Sequence, residues 1–555
     1  MSFSEAALIS SSLPRRLLAL AIVPALLFGL AGPATSQSAE PEYPSPEWFQ
    51  REAENFATIS QAPLEQAADP AFQQRWNDQS TANRLHYFQS RYVDMTWPWD
   101  SSGNACNHWS GPCTGDPYLY PGVDSFYEDE GDVEEVIYFD GQGALLSGRV
   151  WAPKGAQPGD NLPGVVIETG SVQAPETLYW WFSQALVRAG YVVMTFEVRG
   201  QGRSDNRTPD GDFGSNMNSS VFATNLIDTI DFFYSTPDEV YPQAPARGEF
   251  ATTPHNPFFD LIDRDRFGIV GHSLGATGVS VVQGISDAEW PGRVTDGNPV
   301  DTVVAWDNLS ASGSLAGFSV EPRVPTMGQS ADYFLAPSPY TSPPDPQGKN
   351  AGFNGWAEAG VPTYQVNVRG GTHYEWSLLP GFPTSSWDWG NPMAEHYSLA
   401  WLDRWLKVPG EEGYDTADAR LLSDADWTDR MSFYFTSARA YPSRDGTMQT
   451  CADIKAGCEV VDPEPRATSM TLAVEGSGSK RVLVARLTDA ASGAGVAGKS
   501  ISFFGDGASL GTATTDDSGR AALALSGKYR GGHHSFRADF AGDEGSAASG
   551  AETST

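Results

Sequence analysis

The sequence predicts an α/β fold, a mostly parallel sheet with helices on both faces, followed by a separate all-β sandwich. Three observations carry this. Short apolar runs alternate with helical stretches between residues 132 and 407, the grammar of strands joined by crossover helices. A Gly-x-Ser-x-Gly turn at 271–275 joins one such run to a small-residue helix. Beyond residue 467 only short strands remain, separated by Gly, Asp and Ser turns at sandwich spacing. A length of 555 residues suits two or three domains, and 40% hydrophobic with 12% aromatic residues is enough for sizeable cores.

The chain opens with an export pattern. Arg15 and Arg16 precede an apolar run over 17–31, and the small residues Ala34, Thr35 and Ser36 follow. Pro24, Gly29 and Gly32 interrupt the run, which is too short for a stable membrane span. Residues 1–36 are therefore expected to be a signal peptide, cleaved between 34 and 39, and the protein to be secreted.

Residues 37–131 read as an irregular extension rich in Trp and Pro, with one helix over 47–59. Residues 133–139 and 144–151 form a hairpin around the turn at Asp140-Gly141. Strands then follow at 164–167, 191–196, 266–271, 302–306, 324–327 and 362–368, with helices at 178–189, 221–234 and 393–406. The domain is expected to run from 132 to 458, with a Pro-rich insertion at 235–263. Residues 459–466, which include Pro463 and Pro465, read as a linker. Strands at 470–474, 481–487, 499–504, 511–515, 521–525 and 533–540 make up the sandwich, placed at 467–549.

Four cysteines suit an oxidising compartment. Of three pairings on paper, the local ones, Cys106 with Cys113 and Cys451 with Cys458, are favoured because each loop is short and turn-rich. Zinc is disfavoured, since His108 stands alone and the pairs lie far apart. Calcium at Asp210 and Asp212 is rejected because the ligand spacing is incomplete. No metal and no cofactor is expected. The net charge of −34 argues against nucleic acid and anionic membranes, and favours a neutral, apolar or cationic substrate.

The turn at Gly271-His272-Ser273-Leu274-Gly275 has the order of a nucleophile elbow, which makes Ser273 the candidate nucleophile. A serine needs a base to take its proton. His373, in Gly371-Thr372-His373 just after the last strand, is the candidate; His396 lies inside the closing helix and reads as a packing residue. The acid that orients the base is expected to be Asp332, after the strand at 324–327. Asp307, one strand earlier, is the rival. The backbone N–H of Leu274 is expected to supply half of an oxyanion hole, with Ser171 or Val172 supplying the rest. In that loop Thr169-Gly170 stands where a His-Gly pair is usual. Trp180, Trp181 and Trp376 are expected to line an apolar substrate pocket.

The core resembles the α/β-hydrolase superfamily, and within it secreted bacterial esterases of the dienelactone-hydrolase and polyester-hydrolase kind. Residues 271–275, the loop Arg199-Gly200-Gln201-Gly202-Arg203-Ser204-Asp205, Ala331-Asp332 and Gly371-Thr372-His373 carry the resemblance. It implies hydrolysis of carboxylic esters through an acyl-serine, without a cofactor; the aromatics near the motif loops favour an apolar ester, lipid-like or polymeric. The C-terminal stretch resembles bacterial immunoglobulin-like modules through residues 496–499 and 515–521, which implies a fold and leaves contact with a cell wall or polymer surface open. Three other readings stay in view: an amide or peptide hydrolase, an acyltransferase, and an inactive surface-adhesion protein.

Overall fold

The computed structural model describes residues 41–92, 114–171, 174–215, 217–244, 252–377, 387–458, 467–490, 493–543 and 546–555. The expected signal peptide, the Cys106/Cys113 pair, Val172 and the linker lie outside the described residues. Residues 1–51 and 52–555 form two compact units. Within the first, Tyr43 packs edge-on to Trp48 at 5.2 Å.

The apolar runs pair into one ten-stranded sheet. Its strands are β1 (Gly131–Phe139), β2 (Leu145–Pro153), β3 (Leu162–Glu168), β4 (Val192–Glu197), β5 (Ile262–His272), β6 (Thr302–Trp306), β9 (Thr326–Ala331), β10 (Thr363–Val368), β11 (Ala438–Pro442) and β12 (Met448–Cys451). A small hairpin, β7 (Ser314–Leu315) with β8 (Phe318–Ser319), stands apart from it. The order is β1-β2-β4-β3-β5-β6-β9-β10-β11-β12. The strands from β4 to β10 are mutually parallel, and antiparallel strands flank them on both sides. This is the strand order of an α/β-hydrolase fold.

Alternation along each strand builds a core on either face, because successive side chains point opposite ways. Val166 of β3, Val192 and Met194 of β4 and Ile269 of β5 pack with the helices Val221–Tyr234 and Leu274–Val282. Val165, Ile167, Val193 and Val270 face the other way, toward the helices Trp180–Arg188 and Trp387–Leu406. Strands buried on both faces are the reason the runs read as continuously apolar.

Two parts depart from the sequence reading. The extension is not mainly irregular: it holds the helices Pro46–Ala68 and Pro70–Tyr92. Each starts with proline in its first turn behind a capping residue, where Ser45 Oγ accepts from the Trp48 N–H at 3.1 Å and Asp69 Oδ1 from the Ala71 N–H at 2.9 Å. The second helix is polar around most of its circumference, so no apolar stripe announces it. At the far edge, β11 and β12 extend the sheet beyond the closing helix, and the Cys451–Cys458 disulfide closes a short loop from β12. These strands are short, and β12 is largely exposed, so neither carries the apolar run of a central strand.

The C-terminal region holds two antiparallel sheets. One has the order β13 (Thr468–Glu475), β14 (Val482–Asp489), β17 (Arg520–Ala524). The other runs β16 (Ala508–Thr514), β15 (Ser500–Gly505), β18 (Ser535–Phe540), β19 (Ser549–Ser554). Leu483, Ala485 and Leu487 of the first meet Ile501, Phe503, Phe536 and Ala538 of the second in a shared core. Six strands match those expected; β19 does not, since its small residues lack a large apolar side chain, and it lies at and beyond the expected end of the domain.

Candidate active site

β5 ends at His272, and the helix Leu274–Val282 begins two residues later. Ser273 between them has φ 59° and ψ −120°, a conformation that L-residues rarely adopt. Its glycine neighbours are dictated by space. A Cβ on Gly271 would lie 2.3 Å from the Gly275 carbonyl oxygen, and one on Gly275 would lie 2.6 Å from that of Thr169. Gly170, in the loop after β3, approaches closely as well: a Cβ there would stand 3.2 Å from the Ser273 Cβ.

His373 sits in the loop after β10, with its backbone N–H donating to the Phe334 carbonyl at 2.8 Å. Its Nδ1 lies 2.6 Å from Oδ2 of Asp307, the first residue past β6. Asp307 Oδ1 accepts from the Ser330 hydroxyl at 2.6 Å. Burial alone would raise the Asp307 carboxyl. The hydrogen bond and charge of His373, with the Lys349 charge and the Ser330 bond, hold it below its ordinary value instead. This pairing corrects the sequence expectation, which placed Asp332 against His373.

Asp332 is occupied elsewhere. Its Oδ2 accepts from the Gly370 N–H at 2.6 Å and from Asn55 Nδ2 at 3.1 Å, and its Oδ1 takes the Ser432 hydroxyl. Burial raises its pKa, against the opposing effect of these donors. Asp332 thus ties the His373 loop to neighbouring segments instead of touching the imidazole. The register explains the choice: Trp306 pairs with both His272 and Gln329, so Asp307 emerges from the strand beside Ser273, whereas Asp332 emerges one strand further out.

A second histidine belongs to the same cluster. His272 Nε2 lies 2.8 Å from the His373 carbonyl oxygen, which only accepts, so Nε2 carries the hydrogen. Nδ1, 2.8 Å from the Tyr179 hydroxyl, then accepts from it. The Tyr179 oxygen in turn accepts from the Gly170 N–H at 3.0 Å. Burial, reinforced by the charge of His373, lowers His272 to a pKa of about 3, so it stays neutral and is no proton acceptor near pH 7. The chain Gly170, Tyr179, His272, His373 links the loop after β3 to the loop after β10. Sequence reading passed over this role for His272, although it stands inside the elbow motif.

Leu274 is the first residue of its helix, where a backbone N–H has no partner within the helix. Ser171 lies half-buried in the loop after β3. Glu168, the last residue of β3, is fully buried, and among the described residues neither of its carboxyl oxygens has a hydrogen-bonding partner. Its side chain fills the notch left by two helix glycines: a Cβ on Gly275 would lie 3.2 Å from its Cγ, and one on Gly278 2.3 Å from its Oε2.

The three tryptophans expected in a substrate pocket are core residues. Trp180, Trp181 and Trp376 are 2%, 5% and 0% exposed. Trp181 stacks on Trp306 at 5.4 Å and donates to the Trp376 carbonyl at 3.0 Å, while Trp376 Nε1 donates to Gln329 Oε1 at 2.8 Å. They belong to the core on the face covered by the helices Trp180–Arg188 and Trp387–Leu406, and their abundance near the motif loops reflects that core. Among the described residues no cluster of His, Cys, Asp and Glu could hold a metal ion.

No family model matches the chain, and no curated protein matches it. Among solved structures it is similar to hypothetical protein PA2218 from Pseudomonas aeruginosa, at 18% identity over 32% of this chain and TM-score 0.22. The chain spans 43% of the length of that protein. It is also similar to an esterase, Est2, from Thermogutta terrifontis, at 13% identity, with 50% of this chain and 95% of the other covered and TM-score 0.33. A ferulic acid esterase from Streptomyces cinnamoneus aligns at 14% identity, covering 51% of this chain and 92% of its own, with TM-score 0.30.

Proposed function

We propose that the chain is a serine hydrolase of carboxylic esters, with Ser273 as nucleophile, His373 as general base and Asp307 as its orienting acid. The observation that carries this reading is the 2.6 Å contact between His373 Nδ1 and Asp307, one residue past the strand that flanks Ser273. A carboxylate on Nδ1 puts the proton there, leaves Nε2 free to accept from the Ser273 hydroxyl, and stabilises the imidazolium that forms. The Ser273 oxygen then adds to the ester carbonyl, and the alcohol departs with the proton from Nε2. Water, deprotonated by the same nitrogen, releases the acid and restores the serine. The N–H groups of Leu274 and Ser171 are the proposed donors to the oxyanion.

The motif resemblance favours esters over amides, and the net charge of −34 favours a neutral substrate. The N-terminal pattern supports export, which N-terminal sequencing of the mature protein tests. For the chemistry, a serine-reactive phosphonate should label Ser273, as read by peptide mapping. The protein should turn over nitrophenyl esters but not peptide anilides, and Ser273→Ala should abolish that turnover. Cleavage of anilides without esters would replace ester with amide hydrolysis, and labelling elsewhere would overturn the site.

A further inference from the structure

With the three expected tryptophans buried, a well-exposed aromatic ring beside the base is supplied by a different residue. Phe334 follows β9, its ring centroid lies 4.9 Å from that of His373, and it is 60% exposed. Leu335 next to it is 46% exposed. His373, by contrast, is only 7% exposed. The Phe334 position is set by its own backbone, since its carbonyl accepts the His373 N–H at 2.8 Å. The backbone thus ties the strand exit to the base, and substitution of the ring leaves that hydrogen bond available.

We propose that Phe334, with Leu335, is the wall against which the alcohol portion of the ester packs, so that the enzyme selects apolar and aryl alcohols. The inference rests on the ester-hydrolase reading and adds to it which half of the substrate these side chains read. When the tetrahedral intermediate collapses, the bond between the carbonyl carbon and the alcohol oxygen breaks, and the Nε2 proton passes to that oxygen. The leaving alcohol must then sit within hydrogen-bonding reach of the imidazole. A ring 4.9 Å from the imidazole centroid is close enough for a group carried by that oxygen to pack against it. The acyl chain points away from this proton transfer and is not bound to meet Phe334. A phenyl group also offers a large, rigid contact area at little cost in side-chain entropy.

The test holds the acyl group constant and varies the alcohol: kcat/KM for benzyl butanoate against methyl butanoate, in wild type, Phe334→Ala and Phe334→Leu. Wild type should prefer the benzyl ester. Phe334→Ala should lower the benzyl-to-methyl ratio about five- to tenfold, and Phe334→Leu should restore part of it. A parallel series of methyl esters with lengthening acyl chains should keep its order of preference in Phe334→Ala. An unchanged benzyl-to-methyl ratio, or equal loss on both esters, overturns the alcohol-side assignment, as does a shift confined to the acyl series. If wild type and Ser273→Ala are equally inert on every ester, the hydrolase reading falls and this inference with it. Turnover by wild type with an unchanged ratio removes only the inference.

Discussion

His373 Nδ1 and Asp307 Oδ2 stand 2.6 Å apart, while Asp332, one strand further out, spends its carboxyl on Gly370, Asn55 and Ser432. Two aspartates with buried carboxyls thus flank the loop that carries the base, one touching the imidazole and one anchoring the backbone beside it.

That division of roles separates two amide variants. Asp307→Asn keeps the shape but loses the charge and the tautomer control, and kcat should fall about 10³–10⁴-fold. Asp332→Asn leaves the imidazole's partner intact and weakens the anchor. It should lower unfolding stability by about 1–3 kcal/mol and kcat less than tenfold. Steady-state kinetics and urea titration of both variants decide the matter; the reverse ranking in kcat would return the acid to Asp332.

Tyr179→Phe removes a hydroxyl that accepts from Gly170 and donates to His272. Both partners are buried, so the variant should lose about 1–3 kcal/mol in stability. The loop after β3 loses its tie to the elbow, and kcat should drop about 10-fold or more with KM little changed. A variant whose kinetics match wild type would mean that the loop is held by its packing alone.

Glu168 sets a pH dependence with a definite sign. Burial pushes its folded pKa well above the ordinary 4.5, so the folded state holds its proton where the unfolded chain has released it. Its influence is nil below the unfolded pKa, and stability is lost as pH rises from there toward the folded pKa. Glu168→Gln should therefore raise Tm at pH 8 relative to wild type, with the difference shrinking to nothing near pH 4. A Tm difference independent of pH would show that the charge on Glu168 is not what matters.

The Cys451–Cys458 disulfide closes a loop of sequence separation 7 at the outer edge of the sheet, away from the candidate triad. Loop-closure entropy for so short a ring is worth about 2–3 kcal/mol. The double variant Cys451→Ser with Cys458→Ser should lose that much unfolding free energy in denaturant, with ester turnover at 25 °C unaltered. Equal midpoints would mean that local turns already order this loop.

Much of the core was legible in the order of its residues. The parallel strands announce themselves because burial on both faces demands continuous apolar runs, and 165–167, 192–194 and 303–304 supply them. The elbow at Ser273 was readable because sterics leave few choices at Gly271 and Gly275. Less visible were the polar helix Pro70–Tyr92, whose signal lay in its Asp-Pro start, and the edge strands β11, β12 and β19, whose half-exposed backbones place weak demands on side chains.

Sequence by itself determined the class of fold, the strained serine and the histidine loop, since each follows from local rules of burial, sterics and strand order. Which aspartate meets His373, and whether an aromatic residue is wall or core, was decided only by the tertiary structure. Asp307 and Asp332 both follow apolar strands, and Trp181 and Phe334 are both aromatics near a motif. What separates them is the register of neighbouring strands and the face on which a side chain lands. Those relations exist only between segments hundreds of residues apart in some cases, as with Asn55 and Asp332, and no local pattern encodes them.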